Sequence, residues 1–367
     1  MLWVCGAPGA GKSVAGWGLF KALAAEGVQV GFVDIDQLGM LYPANDDDPM
    51  RHLLKAEALV ALLPGYAAAG TQLLVVSGVV DKQVGPAAVL AANVDLTLCL
   101  LIAEPAVLRE RISARSGWGD EAVEEAVAEN AALRTAAFVD VAIDTVGLSV
   151  DETVSRLKRC VRVAAGSSYT ASPPVVRSPS AKAVIVVTGP RAVGSSTVGF
   201  GLAMARWRAH RRTAFVDLQQ LGFLACPGSP RHTVPTLAIT QLASMHAFLS
   251  ARGAELLVVS GHLDDTERGA LHDAMPAAAV TVVRLRADAI TLEAHVRERA
   301  TGSAARLSGD DLLGADPAYQ AVVIAAAITE QEHLDAEATD DAVLDVTGRT
   351  PADAVADLER LIAAPGH

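Results

Sequence analysis

Residues 6 to 13 of the chain read Gly6-Ala7-Pro8-Gly9-Ala10-Gly11-Lys12-Ser13. This octet matches the pattern G-x-x-x-x-G-K-[ST]. It follows an apolar run over residues 2 to 5 and precedes an amphipathic pattern that extends to about Ala25. A strand, a glycine-rich turn and a helix in this order predict a phosphate-binding loop, because backbone amides and the helix dipole favour anions at a helix N-terminus.

The residue types of the octet suit a nucleoside triphosphate. The ammonium group of Lys12 suits the β- and γ-phosphate oxygens, and the hydroxyl of Ser13 suits magnesium. We therefore expect ATP, or GTP, with Mg²⁺ as the bound species; the alternative is a glycine-rich turn that matches by chance. The residues expected to surround the nucleotide are Gly6, Ala7, Gly9, Ala10, Gly11, Lys12, Ser13 and Val14.

Beyond the octet, the chain repeats itself at an offset of 183 residues. The run F-V-D-I-D-Q-L-G from Phe32 recurs as F-V-D-L-Q-Q-L-G from Phe215, and L-L-V-V-S-G from Leu73 recurs unchanged from Leu256. A long-period repeat indicates duplicated structural units. We expect one domain over residues 1–163, a Ser/Pro-rich linker over 164–182 and a second domain over 183–367.

Each repeat alternates short Val/Leu/Ile-rich runs with helical patterns. In the first repeat the runs lie near residues 2–5, 30–34, 72–77, 95–102 and 139–143. Continuous apolar runs are typical of parallel strands that are buried on both faces. The pattern predicts two α/β domains of three layers, each with a five-stranded parallel sheet.

Composition limits the class of partner. The chain carries a net charge of -12, which disfavours a broad grip on nucleic acid. Its longest apolar stretch is broken by Pro and Gly, no basic leader precedes the first strand, and the four cysteines form no C-x-x-C pair. We expect a cytoplasmic protein with a small-molecule partner, without membrane or nucleic-acid contacts. We also expect its two repeats to pair within a monomer or a weak dimer.

Acidic residues follow the second predicted strand. Asp34 and Asp36 stand where side chains face the crevice at the carboxyl edge of a parallel sheet. We expect Asp34 to hold the magnesium shell and Asp36 to orient or deprotonate an acceptor hydroxyl. The alternative is that both acids only cap the next turn.

Basic residues follow the fourth predicted strand. Arg111 and Arg115 lie one helical turn apart and could close over the phosphates, although a solvated basic face is the alternative reading. Five other positions fall where an acceptor would bind, with a structural role as the alternative. They are Arg51 with His52, and Ser77-Gly78 with Asp81.

Together, F-x-D-x-D, the intact loop, L-x-x-R-x-x-x-R and I-D-T resemble the small P-loop kinases of the shikimate, gluconate and adenylylsulfate kinase group. The resemblance implies the strand order 2-3-1-4-5 and an arginine-bearing lid. The run D-I-D-Q-L-G-M-L-Y-P also resembles actinobacterial ATP-binding proteins of unassigned substrate. Shikimate kinases have Gly-Gly-Gly where this chain has Ser77-Gly78-Val79, and adenylylsulfate kinases continue D-G-D-N where it has D-I-D-Q. Neither substrate is therefore carried over.

The second repeat lacks three of the candidate catalytic residues. Lys12 aligns with Ser195, Asp36 with Gln219 and Arg111 with His295. Joint loss of these side chains predicts a pseudo-kinase domain that binds triphosphate weakly and transfers no phosphoryl group. The alternative is that Arg191, inside the same loop, supplies the missing charge.

The sequence thus favours an ATP- and Mg²⁺-dependent phosphotransferase acting on a hydroxyl of a small metabolite, with catalysis by Lys12, Asp36, Arg111 and Arg115. The third strand ends in Ser77 rather than an Asp-Glu pair, which disfavours a mechanical ATPase. The alternative function is a nucleotide-binding regulator or scaffold that phosphorylates no acceptor.

Overall fold

The computed structural model describes residues 1–86, 90, 94–113, 119–161, 183–229, 232–302, 307–336 and 341–363. The predicted linker at 164–182 lies outside the described residues. The chain divides into two compact units. The first unit is Met1–Gly39, Asn45–Pro174 and Phe223–Leu237; the second unit is Met40–Ala44, Val175–Gly222 and Ala238–His367. Each unit thus contains mainly one repeat, together with a short segment of the other.

The elements of the first repeat alternate between strands and helices. In chain order they are β1 (Leu2–Cys5), α1 (Lys12–Ala25), β2 (Val30–Asp34), the one-turn helix α2 (Ile35–Leu38), β3 (Leu41–Tyr42), α3 (His52–Ala68), β4 (Leu73–Ser77), β5 (Thr97–Ile102), α4 (Pro105–Ser113), α5 (Asp120–Leu133), β6 (Val141–Asp144) and α6 (Val150–Lys158). Most residues of β1, β2, β4 and β5 are apolar and buried, as parallel strands between two helical layers require.

The second repeat has a similar succession of elements, and its described residues also include a helix between the fourth and fifth strands. In chain order they are β7 (Ala183–Thr188), α7 (Ser195–Arg208), β8 (Thr213–Asp217), a 3₁₀ turn (Leu218–Leu221), β9 (Leu224–Ala225), α8 (Pro235–Ala251), β10 (Leu256–Ser260), α9 (Asp265–Ala274), β11 (Ala279–Arg286), α10 (Ala289–Thr301), α11 (Pro317–Ala336), β12 (Ala342–Asp345) and α12 (Pro351–Ala363).

The sheet of the first unit has six strands in the order β6-β5-β1-β4-β2-β9. Five are parallel, in the order β2-β4-β1-β5-β6, and β9 joins the edge of β2 in antiparallel orientation. The predicted five-stranded, wholly parallel sheet is therefore wrong in its strand count, and the order of the whole sheet differs at this edge. The reason is that β9 comes from the other repeat and is too short to show a strand period in the sequence.

The sheet of the second unit has the matching arrangement, β12-β11-β7-β10-β8-β3. Here β3, from the first repeat, pairs antiparallel with β8, while the other pairings are parallel. The same correction to the predicted strand count applies.

Parallel pairing brings the carboxyl ends of the inner strands of the first unit to one edge. Asp34 at the end of β2 is in register with Ser77 at the end of β4, and Ser77 with Val4 of β1. The turn after β1 therefore lies at the same edge as the residues that follow β2 and β4. Among the described residues, no helix is long and apolar enough to cross a membrane.

Candidate functional site

The loop between β1 and α1 of the first unit has a backbone that glycine alone accepts readily. Gly9 and Gly11 have φ angles of +84° and +95°, in the left-handed region. A Cβ on Gly6 would lie 2.5 Å from the carbonyl oxygen of Leu101, and one on Gly9 would lie 2.9 Å from Ile112. The loop thus packs tightly on β5 and α4, and its amides stand at the N-terminus of α1.

Lys12 is the buried cation of this loop. Its side chain curls back, and Nζ donates a hydrogen bond to the carbonyl oxygen of Ala7 at 3.1 Å. Burial lowers the pKa of Lys12, while the carboxylates of Asp36, Glu129 and Asp34 oppose that shift. An ammonium group held inside the glycine loop is placed to meet phosphate oxygens.

Ser13 and Asp34 present neighbouring oxygens beside the loop. The hydroxyl of Ser13 donates to Oδ2 of Asp34 at 3.3 Å, and Oδ1 of Asp34 accepts from the backbone N–H of Asp36 at 3.1 Å. The capping role is therefore present for Asp34, and its second oxygen faces Ser13. Burial, followed by the charge of Asp36, raises the pKa of Asp34 to about 6. A hydroxyl and a desolvated carboxylate form a set of hard oxygen donors that suits Mg²⁺.

Asp36 makes an ion pair that the sequence pattern did not predict. Nζ of Lys55, on α3, lies 2.7 Å from Oδ1 of Asp36, and the side chains are 8% and 43% exposed, respectively. Gly39 leaves room for this lysine, since a Cβ there would lie 2.6 Å from its Cγ. The one signal in the sequence was a lysine within the apolar stretch of α3. The pair uses one carboxylate oxygen of Asp36 and holds the group in one orientation.

The predicted acceptor residues lie around Asp36 in different ways. The backbone of Gly78 is adjacent, because a Cβ there would be 3.5 Å from Oδ2 of Asp36. Ser77, by contrast, is fully buried, and its side chain packs against Gly16 of α1. Its hydroxyl is therefore not exposed to an acceptor. Nε of Arg51 donates to the carbonyl oxygen of Gly39 at 2.8 Å, which places this side chain beside the segment that follows Asp36.

The remaining candidate residues are His52, Asp81, Arg111 and Arg115. Burial lowers the pKa of His52, followed by the charge of Lys55, and Oδ1 of Asp81 accepts hydrogen bonds from the backbone of its own turn. Arg111, on α4, points its Nη1 at the carbonyl oxygen of Gly9 at 3.4 Å. Arg115 lies outside the described residues.

Glu129, on α5, is a second residue that the sequence pattern did not predict. Burial raises its pKa, and the charges of Lys12 and Lys82 oppose that shift. Its helix reads as a polar run, D-E-A-V-E-E-A-V-A-E-N, in which no single acid stands out. The carboxylate nevertheless interacts electrostatically with Lys12 and adds negative charge to the site.

In the second unit the corresponding loop keeps the backbone but not the cation. Gly189, Ala192 and Gly194 have φ angles of +147°, +65° and +102°. The loop has Ser195 at the position of Lys12. Below it, Oδ2 of Asp217 accepts hydrogen bonds from Ser196 at 2.7 Å and from Ser260 at 3.2 Å. The donor set next to the loop is therefore satisfied within the unit.

A carboxylate bonds to this second loop. Glu330 lies 201 residues after Glu129, the same offset that relates Ile143-Asp144 to Leu344-Asp345, and is therefore its counterpart. Its Oε2 accepts from the backbone N–H of Arg191 at 3.1 Å. Its Oε1 lies 2.7 Å from Nδ1 of His262. The first repeat has Pro8 and Val79 at these two positions, which offer no N–H and no imidazole. The guanidinium group of Arg191, suggested as a replacement for the lysine, pairs with Asp311.

A cavity of about 420 Å³ lies beside the second loop, lined in part by Val193, Thr197, Arg299 and Arg349. Nδ1 of His295 is 3.0 Å from the carbonyl oxygen of Ala192. This imidazole thus reaches the same loop position that Arg111 reaches in the first unit. The contact is retained while the permanent positive charge is lost.

No family model and no curated protein matches the chain. Solved structures similar to it include a gluconokinase from Sinorhizobium meliloti 1021, at 18% identity and a TM-score of 0.34, covering 51% of this chain and 94% of that one. A sugar kinase from Janibacter sp. HTCC2649 is similar at 13% identity and a TM-score of 0.32, covering 49% and 94%. The structure of APE1195 is similar at 14% identity and a TM-score of 0.33, covering 51% and 97%. Each match thus spans about half of this chain.

Proposed function

We propose that the protein is an ATP- and Mg²⁺-dependent phosphotransferase that acts on a hydroxyl group of a small metabolite, with its chemistry in the first unit. The observation that carries the proposal is a convergence at one sheet edge. Lys12 in its glycine loop, the Ser13–Asp34 oxygen pair and the Asp36–Lys55 ion pair all lie there. A cation, a metal-binding pair and an oriented carboxylate are the parts that phosphoryl transfer needs.

The residues present fit a magnesium nucleotide. The loop amides and Lys12 would bind the β- and γ-phosphates, and Ser13 and Asp34 would hold the metal, with Asp34 acting through water. The raised pKa of Asp34 supports this placement, because a cation relieves the cost of burying its charge next to Asp36. When bound, Mg²⁺ neutralises phosphate charge and fixes the orientation of the γ-phosphate.

The side chains around Asp36 have separate roles in this proposal. Asp36 accepts the proton of the acceptor hydroxyl. The hydroxyl oxygen bonds to the γ-phosphorus, and the bond from that phosphorus to the leaving ADP oxygen breaks. Lys55 keeps the carboxylate oriented through its ion pair. Arg111, already at the carbonyl of Gly9, neutralises negative charge at the loop. The net charge of -12 supports a small-molecule acceptor rather than nucleic acid.

The second unit is proposed to be non-catalytic. It has Ser195, Gln219 and His295 where the first repeat has Lys12, Asp36 and Arg111. The carboxylate of Glu330 accepts a hydrogen bond from the backbone N–H of Arg191, inside this loop. Loss of the lysine ammonium group removes the attraction that phosphate oxygens would meet at this loop, which weakens phosphate binding.

The test uses the full chain, ATP labelled on its γ-phosphate, and a fractionated metabolite extract. The wild-type protein is expected to produce one labelled acceptor that requires Mg²⁺. Asp36→Asn is expected to keep ATP affinity, measured by calorimetry, and to lose transfer. Asp151→Asn, an exposed acid on α6, is the matched control and is expected to behave as wild type.

Two outcomes distinguish the alternatives. ATP binding without a labelled product in any fraction would point to the nucleotide-binding regulator instead. If Lys12→Ala leaves both binding and transfer intact, the loop is not the nucleotide site and the proposal is wrong.

A further inference from the structure

Two short strands occupy equivalent positions in the repeats and lie in exchanged sheets. Strands β3 and β9 stand 183 residues apart, at the repeat offset. In the first unit, Gly31 pairs with Leu224 and Val30 with Ala225. In the second unit, the equivalent pairings are Ala214 with Leu41 and Thr213 with Tyr42. Both sheets thus obtain their sixth strand, in the same register, from the repeat that does not supply the other five.

The exchanged segment of the first unit is part of its core. Phe223 is 1% exposed, and its ring centroid lies 4.8 Å from Trp17 and 6.0 Å from Phe32. The N–H of Phe32 donates to the carbonyl oxygen of Phe223 at 3.1 Å. His232, further along the same segment, stands edge-on to Phe20 at 5.4 Å. Aromatic packing and a ladder hydrogen bond therefore both depend on residues of the second repeat.

The second unit has the equivalent backbone bond in reverse, together with two side-chain contacts of its own. The N–H of Phe215 donates to the carbonyl oxygen of Met40 at 2.9 Å. The ring of Tyr42 lies 4.6 Å from that of Trp207. Nη1 of Arg212 also donates to the carbonyl oxygen of Pro43 at 2.7 Å. The agreement between the two units argues against an accidental edge contact, because the strand pairings and the backbone bond to Phe32 or Phe215 have counterparts at the repeat offset.

We infer that the repeats exchange these edge strands, so that the unit with the intact phosphate loop is built from both repeats. The role of the second repeat is then to complete the first unit, which gives a repeat without Lys12 and Asp36 equivalents a structural function. The link to the site is short. Asp36 lies on α2, and the segment that the first repeat contributes to the second unit begins at Met40. The residue before it is Gly39, whose carbonyl oxygen accepts a hydrogen bond from Arg51.

The physical reason for the strand exchange is the edge of β2, which β9 covers. Without β9, this edge would present unpaired backbone groups beside the rings of Trp17, Phe20 and Phe32. An open edge next to an apolar patch favours association with any available strand. A strand of the same chain is always available at high effective concentration. This inference does not depend on the chemistry proposed for the site.

The test is hydrogen exchange of the full chain, measured by region. Phe223→Ala is expected to increase exchange about tenfold or more over residues 30–34, in the other repeat, and to leave residues 213–217 of its own repeat unchanged. The matched control is Phe215→Ala, only eight residues earlier in the same repeat. It is expected to increase exchange in the second unit and to leave residues 30–34 unchanged.

The reciprocal variant is Leu41→Ala, which is expected to accelerate exchange over residues 213–217 and not over 30–34. Where Phe223→Ala fails to fold, Phe223→Leu gives the same regional contrast with a smaller increase. The inference is overturned if Phe223 variants accelerate exchange in 213–217 alone, or equally in both regions, because the segment would then pack on its own repeat.

Discussion

At the scale of residues, the two loops differ mainly in how their charges are balanced. In the first unit the carboxylate of Glu129 interacts electrostatically with the ammonium group of Lys12. In the second unit Lys12 is replaced, and the equivalent Glu330 bonds to a loop amide and pairs with His262. One retained glutamate therefore has a different partner in each unit. The first loop therefore has a cation for phosphate, whereas the second loop has no lysine and bonds to a carboxylate of its own unit.

Lys55 gives the first residue-scale prediction. Lys55→Met is expected to keep ATP affinity within about twofold and to reduce acceptor phosphorylation by about 10². The reason is that Asp36 loses the ion pair that orients it, while the phosphate loop is untouched. The measurement is transfer of labelled phosphate alongside calorimetric ATP binding. Lys21→Met, an exposed lysine on α1, is the control. Unchanged transfer in Lys55→Met would show that Asp36 needs no orienting cation.

His262 gives a prediction of pH dependence. Glu330 raises the pKa of His262 above its ordinary value of 6.5, and burial opposes the shift. The stabilisation is fully present below about pH 6.5 and is lost as the pH rises through the folded-state pKa. We expect the unfolding temperature of the second unit to fall as the pH rises above about 6.5. Since the imidazole is 53% exposed, the decrease should be small.

The matched variant for this pH effect is His262→Val, which introduces the residue of the first repeat. Scanning calorimetry across the same pH range should give a flatter profile than for the wild type, and Glu330→Gln should give the same flattening. An unaltered profile in both variants would contradict the assigned pair.

At the scale of elements, the phosphate loop and the helix beneath it have changed together. In the first unit Gly9 lies against Ile112, and in the second Ala192 packs against the cluster of Val296, Leu312 and Val323. Gly9 and Ala192 both have positive φ angles. The second unit has the additional methyl group of Ala192 in place of Gly9, and it has the smaller Val296 in place of Ile112. The left-handed conformation costs the alanine about 1–2 kcal/mol, which fits a loop that no longer has to approach phosphate closely.

A double-mutant cycle tests this compensation. Gly9→Ala is expected to destabilise the first unit by about 2–4 kcal/mol, from backbone strain and overpacking. Ile112→Val alone should cost about 1 kcal/mol. The double variant is expected to be more stable than the sum predicts, by about 1 kcal/mol or more. The measurement is chemical unfolding, fitted to the transition that MgATP stabilises. Additive losses would mean that the two positions do not share space.

At the scale of the whole molecule, the repeats seen in the sequence and the units seen in the structure are different divisions of the chain. The first unit includes Phe223–Leu237, and the second includes Met40–Ala44. A fragment cut at the repeat boundary therefore separates each sheet from one of its strands. This consequence matters for any attempt to study one repeat alone.

The corresponding prediction concerns a fragment of residues 1–163. It is expected to aggregate or to bind the dye ANS, because the edge of β2 and its aromatic cluster lose their cover. A synthetic peptide of residues 223–237, added in trans, should reduce ANS fluorescence and restore a cooperative melt. A peptide with Phe223→Ala is the control and should restore less. A monomeric fragment with full ATP affinity and no ANS binding would contradict the prediction.

The internal repeat, the α/β alternation and the glycine loop could be predicted from the sequence, since these depend on local spacing and apolar period. The sequence also placed Asp34 and Asp36 near the loop, because parallel strands bring their carboxyl ends to one edge. The partners Lys55 and Glu129 could not be predicted, since each approaches from a helix distant in the chain. The strand exchange was likewise decided only by tertiary structure. A two-residue strand has no period to read, and its partner is chosen by which open sheet edge and aromatic cluster it can cover.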